Sequence, residues 1–269
     1  MVTRGLRASD DVSAAAWIAS RFEGGFGAVT RTVPGGFAAY VRICHPATDR
    51  AGRLATWPQV ARQTGRKAHP LMQWHALVGS ADPLNVSGSL WPGDDPQRGT
   101  LVPEVLARLC DALTDHTATP ERCFFGLWEG WGWIRSSSIG AAVARACSAG
   151  DAPSNPDEPI TAAFSAEELR QPRVHLPGRD YLLLAGPLEA ALQIGHRPSP
   201  ERLEPQSPNL FWPADRAWCV ASEIDFDSTL LGGTTELVDA ILQTPEFDAW
   251  PVQPGASLAH DADQFNAVP

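Results

Sequence analysis

The residues best suited by type and spacing to do chemistry are Glu223, Asp225 and Asp227, at alternate positions of SEIDFD, with His260, Asp261 and Asp263 in the later run HDAD. Hard divalent cations take oxygen ligands, so clustered carboxylates are their natural sequence signal, and a metal-dependent hydrolase is the reaction class they would serve. Spacing limits that idea. Side chains two apart on a strand stand about 6.6 Å apart, and side chains four apart about 13 Å. Adjacent members could share one ion, but all three could not unless the chain bends near Asp227. The bidentate glutamate that completes an EF-hand loop is missing. The ordinary alternative is a solvated edge of an acidic surface, and no metal ligand or cofactor is assigned.

A second patch is Gly126–Trp133, GLWEGWGW. Glycine weakens strands and marks bends, so this is not one ordinary strand. Trp128 belongs with the preceding apolar run. Trp131 and Trp133 could stand on a glycine-freed loop as an aromatic platform for a small ligand or a partner side chain, or they could cap one end of the core. A third patch is basic: Arg50, Arg53, Arg62, Arg66, Lys67, His69 and His75. It could receive phosphate or an acidic partner, or dock on the acidic second half of the same chain. His69 and His75 are six apart, which is not the i, i+4 spacing of a helical metal pair. The nucleophile elbow GxSxG, the phosphate loop GxxxxGK[ST], HExxH and a strand-linked GxGxxG are all absent.

The elements that must position these groups follow from periodicity. Arg216–Phe226 reads as a strand, with Trp218, Val220, Ser222, Ile224 and Phe226 on a core face and Cys219, Ala221, Glu223 and Asp225 on the other. Gly232-Gly233 reads as a tight reversal, and Thr234 caps a helix carrying Leu237, Val238, Ile241 and Leu242 on one stripe. Upstream, helices are expected over Asp10–Phe22 capped by Ser9, from the Thr56/Gln59 capping box to Gly65, over Leu101–His116 capped by Thr100, from the Ser165/Glu168 box, and from Pro187 to Gly195. Strands are expected at Gly36–Ile43, Arg122–Trp128 and Arg179–Ala185, and Gly195–Asn209 reads as a proline-rich loop. No clean βαβ rhythm runs through these elements. The fold expected is therefore α+β, with a mixed or antiparallel sheet, helices packed on it and long Pro/Gly-rich loops. Residues 1–269 read as one globular unit, with a possible sub-boundary in the polar connector 148–160.

Composition narrows the class. The chain is 43% hydrophobic with ten tryptophans, enough to bury a sizeable core. No apolar run approaches the roughly 18 residues of a membrane helix, and no signal peptide is read at the start. Five scattered cysteines without a CxxC pair point to free thiols in a reducing cytoplasm. Net charge is −10 and unevenly spread: the first 147 residues carry 15 Lys+Arg against 12 Asp+Glu, the rest 6 against 19. An acidic surface disfavours nucleic acid and suits a basic partner.

Three stretches, AHPLMQWH (Ala68–His75), HTATPERCFFGLWEGWG (His116–Gly132) and LFWPADRAWCVASEIDFDSTLLGG (Leu210–Gly233), together resemble a family of uncharacterised actinobacterial proteins of similar length. The resemblance implies a soluble bacterial protein and assigns no activity or catalytic residue. The expectation from sequence is a cytoplasmic α+β protein that binds a protein partner and has no catalysis of its own. The metal-dependent hydrolase and the tryptophan-loop ligand module stand as alternatives.

Overall fold

Apolar residues occupy both alternating sets of the central strands because both faces of the sheet are covered. The computed structural model describes residues 5–84, 86, 89–135, 163–199 and 202–266. Nine strands in these residues form one sheet. They are β1 (Arg7–Ala8), β2 (Ala39–Cys44), β3 (Cys123–Trp128), β4 (Arg173–Leu176), β5 (Arg179–Gly186), β6 (Leu210–Pro213), β7 (Cys219–Ala221), β8 (Ser228–Gly233) and β9 (Ala249–Pro251). The order is β1–β5–β3–β6–β7–β8–β2–β9, and β4 also pairs with β5. Every pair is antiparallel. The class is α+β, as the lack of a βαβ rhythm requires.

One face carries Val41, Ile43, Phe125, Leu127, Leu182, Leu184, Phe211, Val220 and Leu231 against α2 (Pro103–Thr114) and α3 (Thr235–Gln243). Leu106, Leu109 and Leu113 line the buried side of α2, and Leu237, Val238 and Ile241 that of α3. The other face carries Tyr40, Leu183, Leu210, Trp212, Cys219 and Leu230 beneath Trp17, Ile18, Val29 and Val33, with Val252 and Leu258 closing the layer. A third cluster packs α1 (Trp57–Thr64) and Trp74 against Cys44 and Met72. Cys44, Cys110, Cys123 and Cys219 are free and buried, distributed over all three clusters.

Several boundaries match the local signals. The Thr56/Gln59 capping box forms and α1 stops at Gly65, while the Thr234 hydroxyl accepts from Leu237 N at 3.2 Å to open α3. Ser165 and Glu168 hydrogen-bond reciprocally, but only a 3₁₀ turn, Glu168–Arg170, follows them. The first helix is shorter than Asp10–Phe22: a 3₁₀ turn, Val12–Ala15, is capped by Asp11 and not by Ser9, and Ala16–Ala19 continues it. At α2, Val102 takes the cap position, and the Thr100 hydroxyl accepts from Ser207 N at 3.0 Å instead. The expected loop Gly195–Asn209 contains a two-stranded ribbon, Gly195–Ser199 with Arg202–Pro205, separate from the main sheet and so able to hold Pro198 and Pro205.

The largest correction concerns Arg216–Phe226. The strand is only Cys219–Ala221, and the chain then turns and returns as β8, pairing Val220 with Leu231 and Ala221 with Leu230. Gly232 and Gly233 are strand residues paired to Tyr40 and Ala39, not a reversal. Trp218 is buried as expected, whereas Ile224 sits half-buried in the turn. The candidate boundary at 148–160 lies outside the described residues.

Candidate functional site

The turn between β7 and β8 presents the carboxylates. Phe226 N donates to Glu223 O at 3.0 Å, which closes the turn, and Gly99 N donates to Phe226 O at 2.8 Å. Gly99 has φ +69°, and a Cβ there would lie 2.8 Å from the Ile224 Cα, so only glycine lets the upstream loop come this close. Ser222 N reaches back to Asn209 O on the approach to β6 at 2.8 Å.

Glu223 and Asp225 converge, but on a guanidinium. Arg179, the first residue of β5, places Nη2 2.7 Å from Glu223 Oε1 and 2.9 Å from Asp225 Oδ2. Its Cζ also lies 5.6 Å from the Trp128 ring centroid. Desolvation works to lower the Arg179 pKa, yet the hydrogen bond and charge of Glu223, with Asp225, hold it above the usual arginine value. Burial pushes the neighbouring Tyr181 phenol up, and the Glu223 charge adds to that. Asp227 parts from the other two. Its carboxylate turns to Arg42, 3.6 Å away, and burial raises its pKa against the opposing charges of Arg42 and Arg98. Arg42 is held from every side: Nε donates to Ser228 Oγ, Nη1 to the carbonyls of Pro70 and Met72, and the guanidinium lies 5.1 Å from the Trp57 ring centroid.

The tryptophan loop meets the acidic turn through one amide. Asn209 Oδ1 accepts from Trp128 N at 2.9 Å and from Trp131 Nε1 at 2.8 Å, while Asn209 Nδ2 donates to Ser222 O at 3.2 Å. Trp128 and Trp131 meet edge to face with centroids 5.6 Å apart, and Trp133 stacks on Phe164 at 6.0 Å. A Cβ on Gly130 would sit 2.2 Å from the Trp128 indole, so glycine lets that ring fold under the loop. Trp131 and Trp133 pack on the helix-covered core and remain partly exposed. They are anchored rings, not free-standing ones.

Two patches that are almost a hundred residues apart in sequence therefore form one surface. Its rim is acidic. Asp225 is 59% exposed and Asp180, which accepts from His175 at 2.7 Å, is 45% exposed, whereas the cations are more sheltered, at 25% for Arg179 and 11% for Arg173. Arg173 pairs with Glu129 at 2.9 Å. Arg179 and Asn209 are the residues that sequence reasoning missed. Each reads as an unremarkable polar residue beside a turn, and its partners lie on distant strands.

The remaining candidates fall elsewhere. His260 and Asp261 are exposed, while Asp263 is buried and accepts from His69 Nε2 at 2.8 Å, Gln73 N at 3.1 Å and Asn266 N at 2.9 Å. Desolvation tends to raise the Asp263 pKa, but the bonds from Asn266, Gln73 and His69 outweigh it and hold the carboxyl below its ordinary value. This pins the C-terminal segment to Lys67–Gln73 and away from the acidic turn. Of the basic stretch, Arg53 pairs with Asp49 in its own loop at 2.7 Å and Arg62 turns to Pro58 O. Arg66 and Lys67 meet Asn266, so His69–Asp263 is the ionisable pair that joins the halves here. Among the described residues, no group of three His, Cys, Asp or Glu side chains is arranged to hold a metal ion. No described helix is long and apolar enough to cross a membrane. Comparison with protein-family models, curated proteins and solved structures gives no match to this chain.

Proposed function

We propose that this protein acts by binding a protein partner through the surface formed by Trp128, Trp131, Arg179, Glu223 and Asp225, without catalysis of its own. The observation that carries the reading is the joining of the tryptophan loop to the acidic turn by Asn209 and Arg179. Anchored aromatic rings inside a charged rim are the usual anatomy of a recognition surface, because rigid rings bury area at little entropic cost. The exposed carboxylates suit a partner presenting lysine or arginine. A reducing compartment fits the four cysteines that are free among the described residues. The hydrolase alternative is weakened because Arg179 occupies the space between Glu223 and Asp225 that a cation would need.

The test is co-purification after cross-linking in the cells that encode the chain, comparing wild type with Asp225→Arg. Asp225 is exposed, so the reversal should leave the fold intact. A basic partner recovered with wild type and reduced at least tenfold with the variant is the expected result. Equal recovery with both proteins, or no partner at all, overturns the reading. A parallel melt with magnesium, manganese or calcium addresses the alternative. An ion at about 100 times its Kd stabilises a folded state by roughly 2.7 kcal/mol, several degrees in Tm. A saturable shift that Asp225→Asn removes would replace binding with metal chemistry.

A further inference from the structure

The sheet corner where β1, β5 and β3 meet holds a cleft of about 520 Å³ that the partner surface does not use. Its floor comes from cross-strand register. Phe124 pairs with Ala185, Ala185 pairs with Arg7, and all three therefore share one face of the sheet. Arg122, in the bend just before β3, lines the cleft as well. Phe124 and Ala185 are only half-buried, so the cleft has an exposed ring in its floor with Arg7 and Arg122 on its walls. Beyond the floor, Phe124 stacks on Trp212 at 5.7 Å and Trp212 meets Trp17 edge-on at 6.2 Å. Arg21 and Arg216 lie 5.2 and 5.6 Å from the Trp17 ring centroid.

In a chain of net charge −10, these arginines belong to a larger set of described arginines without an ion pair, which also includes Arg31, Arg50, Arg62, Arg66, Arg98 and Arg170. Among the described residues, Arg7, Arg21, Arg122 and Arg216 have no carboxylate within salt-bridge distance, whereas Arg42, Arg53, Arg108, Arg173, Arg179 and Arg202 each have one. Arg216 also has φ 57°, the only non-glycine left-handed residue among those described, a conformation that costs free energy and must be held by its surroundings. Asp215 supplies that hold: its carboxylate accepts from Thr117 Oγ1, Ala118 N and Ala217 N.

The cleft is not uniformly basic. Asp10, Asp11 and Glu121 also line it, and of these the Asp11 carboxylate accepts from Ser13 N. The carboxylates of the other two oppose a simple inorganic anion in the same cleft. A ligand that satisfies the whole lining carries three chemistries at once: an oxyanion for the Arg7 and Arg122 forks, a planar ring for the Phe124 floor, and hydroxyl or amino donors for Asp10 and Glu121. The volume lies within the usual range of small-molecule sites. We propose that this cleft binds a nucleoside monophosphate, with the phosphate on Arg7 and Arg122, the base against Phe124 and the sugar hydroxyls toward Asp10 and Glu121.

The test is calorimetric titration of the full chain with AMP, GMP, CMP and UMP, with adenosine and inorganic phosphate as separate arms. At least one nucleotide is expected to bind at least tenfold more tightly than adenosine or phosphate, since neither alone meets all three parts of the lining. Arg7→Ala and Arg122→Ala alter exposed residues and should fold normally. Each is expected to weaken nucleotide binding at least tenfold, while Arg62→Ala, on α1 and outside the cleft, leaves it unchanged. Failure of all four nucleotides to bind at millimolar concentration overturns the proposal. So does binding that survives both cleft variants, or inorganic phosphate binding as tightly as the nucleotides.

Discussion

Two buried polar residues on β2 and just after it carry much of the structural information. Arg42 lies between Val41 and Ile43 in a run whose strand character was legible, but nothing local announces that its guanidinium serves carbonyls about thirty residues onward. Its side chain is 1% exposed and meets Ser228, Pro70, Met72 and Asp227. Arg42→Ala would strand those acceptors and leave a sheltered carboxylate without its cation, so a loss of about 3–5 kcal/mol is expected in urea denaturation. His45 is fully buried, with Nδ1 2.6 Å from Gln97 O and Nε2 2.9 Å from Thr229 Oγ1. Burial lowers its pKa from 6.5 to about 4, with Arg42 adding to the effect and the Gln97 bond opposing it. A depressed histidine pKa means that the unfolded chain binds more protons between those two values. Its contribution is complete above about pH 6.5 and is lost as pH falls through about 4, a change of roughly 3 kcal/mol. Urea midpoints measured across that window should fall steeply for wild type and more gently for His45→Gln.

The three main helices formed near where the sequence placed them, and the errors at β7 and β8 share one cause. α1, α2 and α3 combine an apolar stripe with a cap or an N-terminal proline, and those interactions are made within a few residues. The β7–β8 hairpin misleads because alternation of apolar and polar residues continues from Trp218 to Phe226 although the chain has already turned. The turn is set by Asn209 and Gly99, both distant in sequence, so no window around Glu223 contains the information. Gly232 misleads for a related reason. It reads as a turn residue, yet it is paired within β8, and the position takes glycine because a Cβ would sit 2.5 Å from the Phe37 ring and 2.9 Å from Tyr40 Cε1. Gly232→Ala is expected to cost about 1–3 kcal/mol by overpacking, seen as a lower denaturation midpoint with unchanged secondary structure. A neutral Gly232→Ala would mean that Phe37 yields and that the contact carries no weight. Of the candidate site, Trp131 and the pair Glu223 and Asp225 were legible as separate patches, whereas Trp133 stacks on Phe164 and stays out of it. The joining of those patches by Arg179 and Asn209 was not legible.

At the scale of the whole chain, one antiparallel sheet with a cover on each face explains why so many strands are apolar on both alternating sets. Fold class follows from element order and was legible. Strand order does not, because β2 pairs with β8 and β9, both more than 180 residues onward. The charge asymmetry was also legible, but its structural use was not. The basic stretch from Arg50 to His75 does not lie against the acidic half as a charged face. It contributes a single histidine to Asp263, and Asn266 holds the neighbouring backbone. The acidic surplus of the second half is thus not neutralised by that stretch.

The placement of the four buried cysteines makes the chain its own reporter of opening. Cys110 on α2 and Cys123 on β3 lie in the helix-covered layer, Cys219 on the opposite face, and Cys44 in the α1 cluster, so each layer holds at least one thiol. Desolvation pushes Cys110 and Cys123 up to about 12 and also raises Cys44 and Cys219 well above the ordinary thiol value, which leaves almost no thiolate to react in the closed molecule. Alkylation must therefore wait for each layer to open, and its rate at high reagent concentration becomes a local opening rate. In a Cys147→Ser background, mass spectrometry of the labelled peptides should show Cys44 reacting first, because its layer is built from short helices and loops. Cys110, Cys123 and Cys219 should follow with one shared rate, the signature of a sheet that can lose neither cover alone. Four equal rates would instead make the α1 layer part of the same cooperative unit.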